Sequence, residues 1–167
     1  MGRPGRDEEY TAYMTARLPW LQRVAYLLCQ DWDRADDLVQ TTMTRLYVHW
    51  RRAGSVENVD GYARTVLLRV FLAEQRTAWW RRVAVVRDTP DTAHADAPAD
   101  LDLRAALAAL PPRQRAAVVL RFYCDLSVEQ TADALNCTAG TVKSQTSKGL
   151  AALRRALEPV GVTVEGE

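Results

Sequence analysis

The strip at residues 87–100, RDTPDTAHADAPAD, limits the possible folds because it divides the chain into two parts. It is rich in Asp, Ala, Thr and Pro, and its apolar residues show no helical period. Such a composition is typical of a tether between domains, largely without regular structure. The 167 residues are enough for two small domains. We therefore expect two folded units joined by an acidic linker.

The charge pattern separates the same parts of the chain. Residues 1–87 hold 14 basic and 10 acidic side chains, a net charge of +4. Residues 104–158 hold 8 basic and 4 acidic side chains, again +4, whereas residues 88–103 hold five acidic side chains and no basic one. Two basic blocks on either side of an acidic strip favour two modules that each face a polyanion.

Composition narrows the fold class and the compartment. With 48% hydrophobic residues the chain can bury a core, and abundant Ala, Leu and Arg with only two Phe favour an all-α protein. Three cysteines without paired spacing argue against a disulfide framework and fit a reducing cytoplasm. The polar N-terminus does not resemble a signal peptide, and Arg69 breaks the most apolar run, which is too short to span a bilayer.

Three segments before the strip have helical patterns. Residues 7–30 space their apolar side chains helically, and Pro19 is expected to begin a second helix there. Residues 31–52 have Asp31 or Asp33 as a cap. Their apolar stripe consists of Val39, Met43, Leu46, Tyr47 and Trp50. After a polar turn, the helical pattern of residues 62–82 places Tyr62, Val66, Val70 and Ala73 on one side of a helix. These segments predict a small helical bundle, with Tyr62 in its core.

The second part of the chain begins with a short helix that Pro111 and Pro112 stop. The next helix is expected to bury Val118, Val119 and Phe122. Ser127, followed three residues later by Gln130, predicts a capping box at the start of a further helix, whose inner face carries Ala132 and Leu135. Asn136 suits a tight turn because Asn tolerates the left-handed conformation, and Thr138 can cap the last helix.

The last helix, residues 138–157, has two contrasting faces. Its apolar face spans about 80° and consists of Ala139, Val142, Thr146, Leu150, Leu153 and Leu157. The opposite face is small, hydroxylated and basic, with Thr141, Ser144, Ser147, Lys148 and Arg155, flanked by Lys143 and Arg154. Short hydroxyl side chains let a helix backbone approach the major groove, so this arrangement predicts a helix-turn-helix. The alternative is a solvated helix face.

Two motifs resemble one protein family. ADDLVQTTMTRLY, at residues 35–47, resembles the signature helix of bacterial RNA polymerase sigma factors of the extracytoplasmic-function (ECF) group. Residues 106–157, ALAALPPRQRAAVVLRFYCDLSVEQTADALNCTAGTVKSQTSKGLAALRRAL, look like the promoter-binding domain of the same group. The two motifs occur in the expected order on either side of the tether, and the likeness covers almost the whole chain.

The resemblance implies a fold and a function. The fold is all-α, with an N-terminal bundle of the sigma region 2 type at 1–86, a flexible acidic linker at 87–101, a helix-turn-helix domain of the region 4 type at 102–159, and a tail at 160–167. The implied function is that of an alternative sigma factor, which binds core RNA polymerase, directs it to specific promoters and helps to melt DNA. Such a protein is not an enzyme and needs no cofactor.

The resemblance also implies a polymerase-binding helix. Five consecutive residues match the part that docks on the coiled-coil clamp of the polymerase large subunit, namely Asp36, Asp37, Leu38, Val39 and Gln40. Adjacent carboxylates in a first helical turn, followed by apolar residues, suit a basic amphipathic partner helix. Alternatively, the two aspartates only favour the helix N-terminus and Leu38 belongs to the core. Thr41 stands where the family usually has an acid.

The turn at 53–60 and the helix at 62–82 match the part that opens and reads the −10 promoter element. Melted DNA needs a basic track and a pocket for an extruded base. The matching candidates are Asn58, Arg64, Arg69, Arg76, Trp79, Trp80, Arg81 and Arg82. Asn58 would line the pocket, whereas Trp79 and Trp80 either stack on bases or seal the end of the bundle. Arg69 replaces an Asn that is common in the family.

The last helix matches the part of the family that reads the −35 promoter element. The matching residues are Thr141, Lys143, Ser144, Gln145, Ser147 and Lys148. Gln145 replaces an Arg that is common there, which affects the promoter sequence more than the function. Arg154 and Arg155 either contact phosphates or are solvated at the helix C-terminus.

Other partners and functions stay open at this point. Many family members bind an anti-sigma factor, which is therefore a candidate partner beside core polymerase and promoter DNA. The linker aspartates, Asp88, Asp91, Asp96 and Asp100, either mimic nucleic acid inside the polymerase or only solubilise the spacer. A competing function is an autonomous helix-turn-helix regulator that binds duplex DNA as a dimer. A thiol or metal enzyme is disfavoured because no cysteine or histidine has ligand or dyad spacing, so no metal site is expected.

Overall fold

The computed structural model describes residues 5–53, 57–84 and 98–158. Within these ranges, only the backbone is described for residues 79–84 and 98–101. The described residues form helices and no strand. The helices are α1 Arg6–Cys29, α2 Trp32–Val48, α3 Trp50–Ala53, α4 Val59–Ala84, α5 Pro98–Ala109, α6 Pro112–Val118 with a π-helical continuation Val119–Tyr123, α7 Val128–Leu135 and α8 Ala139–Leu157. The predicted linker residues 87–97 and the tail 160–167 lie outside the described residues. Residues 98–101, which were assigned to the linker, form the first turn of α5.

Pro19 does not begin a second helix, so that prediction was wrong. It lies inside the continuous helix α1. The fixed φ angle of proline is compatible with a helix, and Pro19 is exposed, so water can satisfy the carbonyl group that loses its amide partner. Met14 on one side and Leu21 on the other are both buried in the same core, which holds the two halves of α1 in one line.

The buried face of α2 differs from the predicted stripe. Asp31 is the cap, and its carboxylate accepts hydrogen bonds from the amides of Asp33 at 2.9 Å and Arg34 at 3.3 Å. The buried residues of α2 are Ala35, Leu38, Val39, Thr42 and Leu46. Tyr47 is 42% exposed, contrary to the prediction. Thr42 can be buried because its hydroxyl donates to the Leu38 carbonyl at 2.8 Å.

Helix α4 also turns a different side to the core than predicted. It begins at Val59, and the Asn58 side-chain oxygen accepts from the Gly61 amide at 2.9 Å, as an N-cap does. The buried residues are Ala63, Leu67, Leu68, Val70 and Phe71. Tyr62 and Val66 are only partly buried, and Ala73 is exposed. Of the four residues predicted to align, only Val70 is therefore buried.

The local signals in the C-terminal domain predicted its turns correctly. The Gln130 amide donates to the Ser127 hydroxyl at 3.0 Å and the Ser127 amide to the Gln130 side chain at 2.9 Å, which confirms the capping box. Asn136 has a left-handed φ of 52°. The Thr138 hydroxyl accepts from the Thr141 amide at 3.1 Å and caps α8.

Phe122 is 58% exposed, so its predicted burial was wrong. The π-helical stretch after α6 explains the difference, because a wider turn rotates each later side chain relative to an α-helix. Val118, Val119 and Leu120 remain buried, whereas Phe122 and Tyr123 face outward.

The two domains share a hydrophobic core. One buried cluster combines Leu21, Leu28, Leu38, Leu67 and Phe71 from the first domain with Ala116, Ala117, Val119, Leu120, Leu126, Ala134 and Leu135 from the second. Helix α4 contacts α6 and α7 directly, and α1 contacts α5 and α6. The two units predicted from the sequence are present, and in this structure they pack against each other.

Helix α8 packs closely on the C-terminal domain. Its Val142, Gly149 and Leu153 are buried. A Cβ atom at Gly149 would lie 2.8 Å from Cγ2 of Val118, so only glycine allows this approach of α8 to α6. The packing orients α8 so that its polar side faces away from the protein.

Candidate polymerase and promoter interfaces

The five residues predicted to bind polymerase divide into two groups. Asp36, Asp37 and Gln40 are exposed on α2. Leu38 is 0% exposed and Val39 is 2% exposed, so both belong to the core in this structure. A helix that turns two carboxylates outward and two aliphatic side chains inward presents a rigid acidic ridge.

A groove of about 590 Å³ runs along one side of this ridge, between α1 and α2. It is lined by Tyr10, Leu18, Gln22, Asp36, Val39, Gln40, Met43, Thr44 and Tyr47. The Tyr10 hydroxyl donates to the Met43 carbonyl at 2.8 Å, and the rings of Tyr10 and Tyr47 meet edge to face at 5.1 Å. The groove therefore offers an aromatic and aliphatic floor beside the exposed Asp36 and Gln40. Sequence reasoning did not identify Tyr47 as a surface residue, because the helical period assigned its side chain to the buried apolar stripe.

A second groove, of about 560 Å³, lies on the other side of the ridge between α2 and α4. Asp37 lines it together with Arg34, Arg45 and Glu74. Burial raises the pKa of Glu74 above its ordinary value, and the neighbouring Arg34 acts in the opposite direction. The Thr41 hydroxyl, at the position where the family usually has an acid, donates to the Asp37 carbonyl at 3.0 Å.

Three residues predicted to contact the −10 element meet in one cleft. Asn58, Arg64 and Arg69 line a cavity of about 450 Å³ on the surface of α4. Gly61 makes room for the Asn58 side chain, since a Cβ atom there would lie 2.6 Å from its amide nitrogen. The opposite wall of the cleft comes from the C-terminal domain, through Leu126, Gln130, Asp133 and Ala134.

An aromatic and charged cluster that the sequence did not reveal adjoins this cleft. The guanidinium groups of Arg17 and Arg64 lie 5.6 Å and 6.0 Å from the ring centre of Trp20. Asp60 forms an ion pair with Arg17 and accepts from the Tyr13 hydroxyl at 2.8 Å. Burial, and then this hydrogen bond, raise the pKa of Tyr13 well above its ordinary value. The network joins α1 to α4 beside Asn58.

The rest of the predicted −10 track lies further along α4. Arg76 is exposed. Trp79, Trp80, Arg81 and Arg82 belong to the last turns of α4, and their side chains lie outside the described part of the structure. Residues 54–56 of the predicted turn also lie outside it.

The predicted −35 residues occupy one side of α8. Lys143, Ser144, Ser147 and Lys148 are exposed, and Thr141 and Gln145 are partly exposed. The Thr138 and Thr141 hydroxyl oxygens lie 2.9 Å apart, which orders the first turn. The apolar side is buried only in part, because Leu157 is 44% exposed, contrary to the prediction that it lies on the inner face. Arg154 and Arg155 are exposed in the last turn.

The three cysteines are free thiols, all partly buried. Burial raises the pKa of Cys29 to about 11, and it also raises the pKa of Cys124. Cys29 lies within electrostatic range of Arg115 and Cys124 within range of Arg64. The pKa of each of these two thiols is therefore lowered slightly by the positive charge of an arginine in the other domain, against the larger effect of burial.

The raised pKa of Cys29 predicts an unusual pH dependence of alkylation. Because the thiolate is the nucleophile and only roughly one Cys29 thiol in a thousand is ionised at pH 8, alkylation should be slow there, and its rate should rise about tenfold per pH unit up to pH 10. The unfolded chain loses this proton first, so folding stability should fall as pH rises from about 8.5 towards 11. Iodoacetamide labelling followed by mass spectrometry of the Cys29 peptide measures the rate. A rate that levels off by pH 9 would contradict the raised pKa.

Comparison with protein families assigns both domains. Residues 13–81 match the model of Sigma-70 region 2, and residues 100–153 match the model of Sigma-70, region 4. The chain is 36% identical over 165 residues to RNA polymerase sigma-E factor of Streptomyces avermitilis, covering 92% of this chain and 88% of that protein. It is 30% identical over 151 residues to ECF RNA polymerase sigma factor SigL of Mycobacterium tuberculosis, covering 86% and 85%.

Comparison with solved structures gives the same assignment. The sigma factor RpoE of Bartonella quintana, solved in complex with the anti-sigma factor NepR, superposes with a TM-score of 0.77 at 25% identity. The superposition covers 92% of this chain and 99% of that one, so it includes both domains. No helix among the described residues is long and apolar enough to cross a membrane. The chain therefore belongs to the ECF group of the sigma-70 family and is an alternative sigma factor, a non-enzymatic initiation factor that directs RNA polymerase to promoters.

Proposed function

We propose that this sigma factor divides its work among three helices, with α2 binding core polymerase, α4 the −10 element and α8 the −35 element. The proposal assigns residues 1–86 to polymerase and −10 binding and residues 102–159 to −35 binding. It places the protein in the cytoplasm, with the polymerase. The observation that supports it most is that α8 turns outward a basic, hydroxyl-rich face that carries no acidic residue, while α2 exposes Asp36 and Asp37 beside an apolar groove.

The polymerase-binding face consists of Asp36, Asp37 and Gln40, with the aromatic groove beside them. Leu38 and Val39 act from the core by fixing the orientation of α2, since both are buried. An exposed acidic ridge next to an apolar groove suits a basic amphipathic helix, such as the clamp helices that the family resemblance implies. Tyr47, exposed on the groove wall, joins this surface.

The −10 face consists of Asn58, Arg64, Arg69 and Arg76. The cleft between Asn58 and Arg69 has the polar and cationic lining that an unstacked base and its phosphate require. Trp79, Trp80, Arg81 and Arg82 continue the track along α4 in this proposal.

The −35 face consists of Thr141, Lys143, Ser144, Gln145, Ser147 and Lys148. Hydroxyl groups in the middle of the face let α8 approach base edges, and the lysines neutralise phosphates. The buried Gly149 supports this use, because it brings the apolar side of α8 close to α6 and leaves the other side free.

Replacing Lys148 with alanine tests the −35 assignment. Loss of one phosphate contact should weaken promoter binding by the holoenzyme and reduce the slope of log K against log salt concentration by roughly 0.9. Affinity for core polymerase should not change, because Lys148 lies on the exposed side of α8 and is not part of the proposed polymerase-binding face on α2. Titration of labelled promoter DNA with holoenzyme at several salt concentrations measures the promoter affinity and its salt slope.

Arg113→Ala is the matched control, since it removes an exposed positive charge from α6 and leaves α8 unchanged. If Lys148→Ala and Arg113→Ala lower DNA affinity equally, the effect is one of overall charge and the α8 assignment fails. If Lys148→Ala also weakens core binding, the two interfaces are not separate as proposed.

An anti-sigma factor is a further proposed partner. RpoE of Bartonella quintana, which superposes over both domains, was solved in complex with the anti-sigma factor NepR. Helices α2 and α8, which the proposal uses for polymerase and DNA, are also the exposed charged faces that such a partner would cover.

A further inference from the structure

Two aromatic pairs mark the ends of the groove between α1 and α2. At one end the rings of Tyr10 and Tyr47 meet edge to face, with centres 5.1 Å apart. At the other end the rings of Tyr26 and Trp32 stack nearly parallel, with centres 4.0 Å apart and an interplanar angle of 9°. Each pair joins one residue of α1 to one residue of α2, so the two helices run antiparallel along the groove. Neither Tyr26 nor Trp32 belongs to the interfaces proposed above.

Trp32 lies on the side of α2 that borders the groove. At about 100° per residue, Asp36 lies about 40° from Trp32 around the helix axis and Met43 about 20° from it. Asp36 and Met43 both line the groove. From Trp32 to Tyr47 this side of α2 is about 22 Å long, which is about four helical turns. The surface beside the groove therefore extends to the first residue of α2.

Trp32 is an exposed aromatic side chain that is held in one orientation. It is 39% exposed, whereas Tyr26 is only partly buried and packs against the common core. Stacking on Tyr26 covers one face of the indole, so the exposed area belongs to the other face and to the ring edges. An indole that is already ordered loses little conformational entropy when a partner covers it.

The charges around the indole attract a cation. Residues 31–40 hold four acidic side chains and one basic one, a net charge of −3. Asp36 and Asp37, about one turn along α2 from the indole, are exposed. Arg104 of α5 adds one positive charge, with its guanidinium 5.2 Å from the ring centre of Tyr26, and the surroundings stay negative. A guanidinium binds a carboxylate through hydrogen bonds and an indole face through a cation–π contact, so it suits this surface better than an ammonium group.

The chain already contains such an arrangement at another place. The guanidinium of Arg17 lies 5.6 Å from the ring centre of Trp20 and forms an ion pair with Asp60. One arginine thus contacts an indole and a carboxylate at the same time. At Trp32 and Asp36 the indole and the carboxylate lie one turn apart and are both exposed. There the arginine has to come from a partner.

We propose that Trp32 anchors core polymerase at the N-terminal end of α2, with one arginine of the partner lying over the indole and bonding to Asp36. The partner segment is an amphipathic helix of about four turns, whose apolar side covers the groove from Trp32 to Tyr47. Naming core polymerase as the partner rests on the proposed function. The anchor itself adds a residue that the family resemblance did not supply. Tryptophan suits this role because a few large aromatic side chains carry most of the binding energy of an interface.

Replacing Trp32 in the full-length chain tests the anchor. Trp32→Ala should weaken binding to purified core polymerase at least tenfold, with an unchanged circular dichroism spectrum, since the Asp31 cap of α2 remains. Leu103→Ala is the matched control, because it removes an apolar side chain that is 42% exposed on α5, and it should bind like the wild type. Competition with labelled wild type measures the affinities. Wild-type affinity in Trp32→Ala, or an equal loss in Leu103→Ala, would overturn the anchor.

The shared arginine predicts that losses at Trp32 and Asp36 are not additive. If one guanidinium contacts both side chains, Trp32→Ala combined with Asp36→Asn should weaken core binding by clearly less than the product of the two single losses. The same competition assay measures the three variants. Single losses that multiply in the double variant would overturn the shared arginine.

Hydroxyl-radical footprinting read by mass spectrometry tests the wild type without any substitution. Trp32 should be oxidised in the free chain and at least fivefold more slowly in the complex with core polymerase. Equal oxidation in both states would overturn the anchor. Asp37→Lys separates this result from the proposed function. If Asp37→Lys weakens core binding and Trp32→Ala does not, only the anchor fails; if neither weakens it, the assignment of α2 to polymerase fails as well.

Discussion

Replacing Arg115 with methionine is expected to lower the free energy of unfolding by about 3–5 kcal/mol, because several hydrogen bonds from one buried charged donor are lost together. The variant removes the guanidinium donor from four carbonyl groups at the ends of α1 and α5. The Leu107 carbonyl keeps the Leu110 amide as a donor at 3.1 Å, whereas the carbonyls of Leu28, Ala108 and Leu110 lose their side-chain donor. Each buried acceptor without a partner costs about 1–3 kcal/mol, although water reaches some of them after relaxation. Burial lowers the pKa of Arg115, yet a guanidinium stays charged at every pH at which the protein folds.

Urea unfolding followed by circular dichroism measures this loss. Arg113→Met is the matched control, because Arg113 is an exposed arginine on the same helix, and its replacement should change stability by about 0.5 kcal/mol or less. A loss below about 1 kcal/mol for Arg115→Met would mean that the helix ends are satisfied in another way.

Reversing the charge of Asp37 is expected to weaken core polymerase binding at least about tenfold, which is 1.4 kcal/mol. Asp37 is exposed on α2 beside Asp36, so a lysine there places like charge against the basic partner helix that the proposal requires. The fold should not change, because the side chain is outside the core and the Asp31 cap remains. Competition between labelled wild type and each variant for purified core polymerase measures the affinity.

The control for Asp37→Lys is Asp102→Lys, which reverses an exposed carboxylate on α5. Both proteins change net charge by the same amount, so a difference between them reports the position. Equal affinity for core polymerase in the two variants would remove α2 from the polymerase interface.

Sequence reasoning succeeded where the signal was local. The capping box of Ser127 and Gln130, the left-handed Asn136 and the Thr138 cap each depend on residues within three or four positions, and all three occur as predicted. The polar side of α8 was also predictable, because one helical period fixes which side chains face together.

Errors arose where a side chain made its own hydrogen bond or the helix changed its pitch. Thr42 can be buried because its hydroxyl donates to the carbonyl four residues earlier. A polar residue therefore occupies a core position of α2, whereas the apolar pattern placed Tyr47 in the core. Phe122 was placed inside on an α-helical period that the π-helical stretch does not follow.

The packing of the two domains could not be read from the sequence, because it depends on contacts between distant residues. Arg115 bonds to Leu28, which lies 87 positions earlier in the chain. A single buried arginine has no periodic signature, so the sequence does not distinguish Arg115 from the exposed Arg113 two positions earlier. The wall that the C-terminal domain adds to the cleft of Asn58, Arg64 and Arg69 depends on long-range contacts of the same kind.

Run-off transcription with purified core polymerase, this chain and genomic DNA fragments tests the central claim most directly, namely that the chain directs polymerase to promoters through α2, α4 and α8. We expect discrete transcripts that require the wild-type chain, decrease strongly with Asp37→Lys and persist with Asp102→Lys. An absence of specific transcripts together with no binding to core polymerase would contradict the claim.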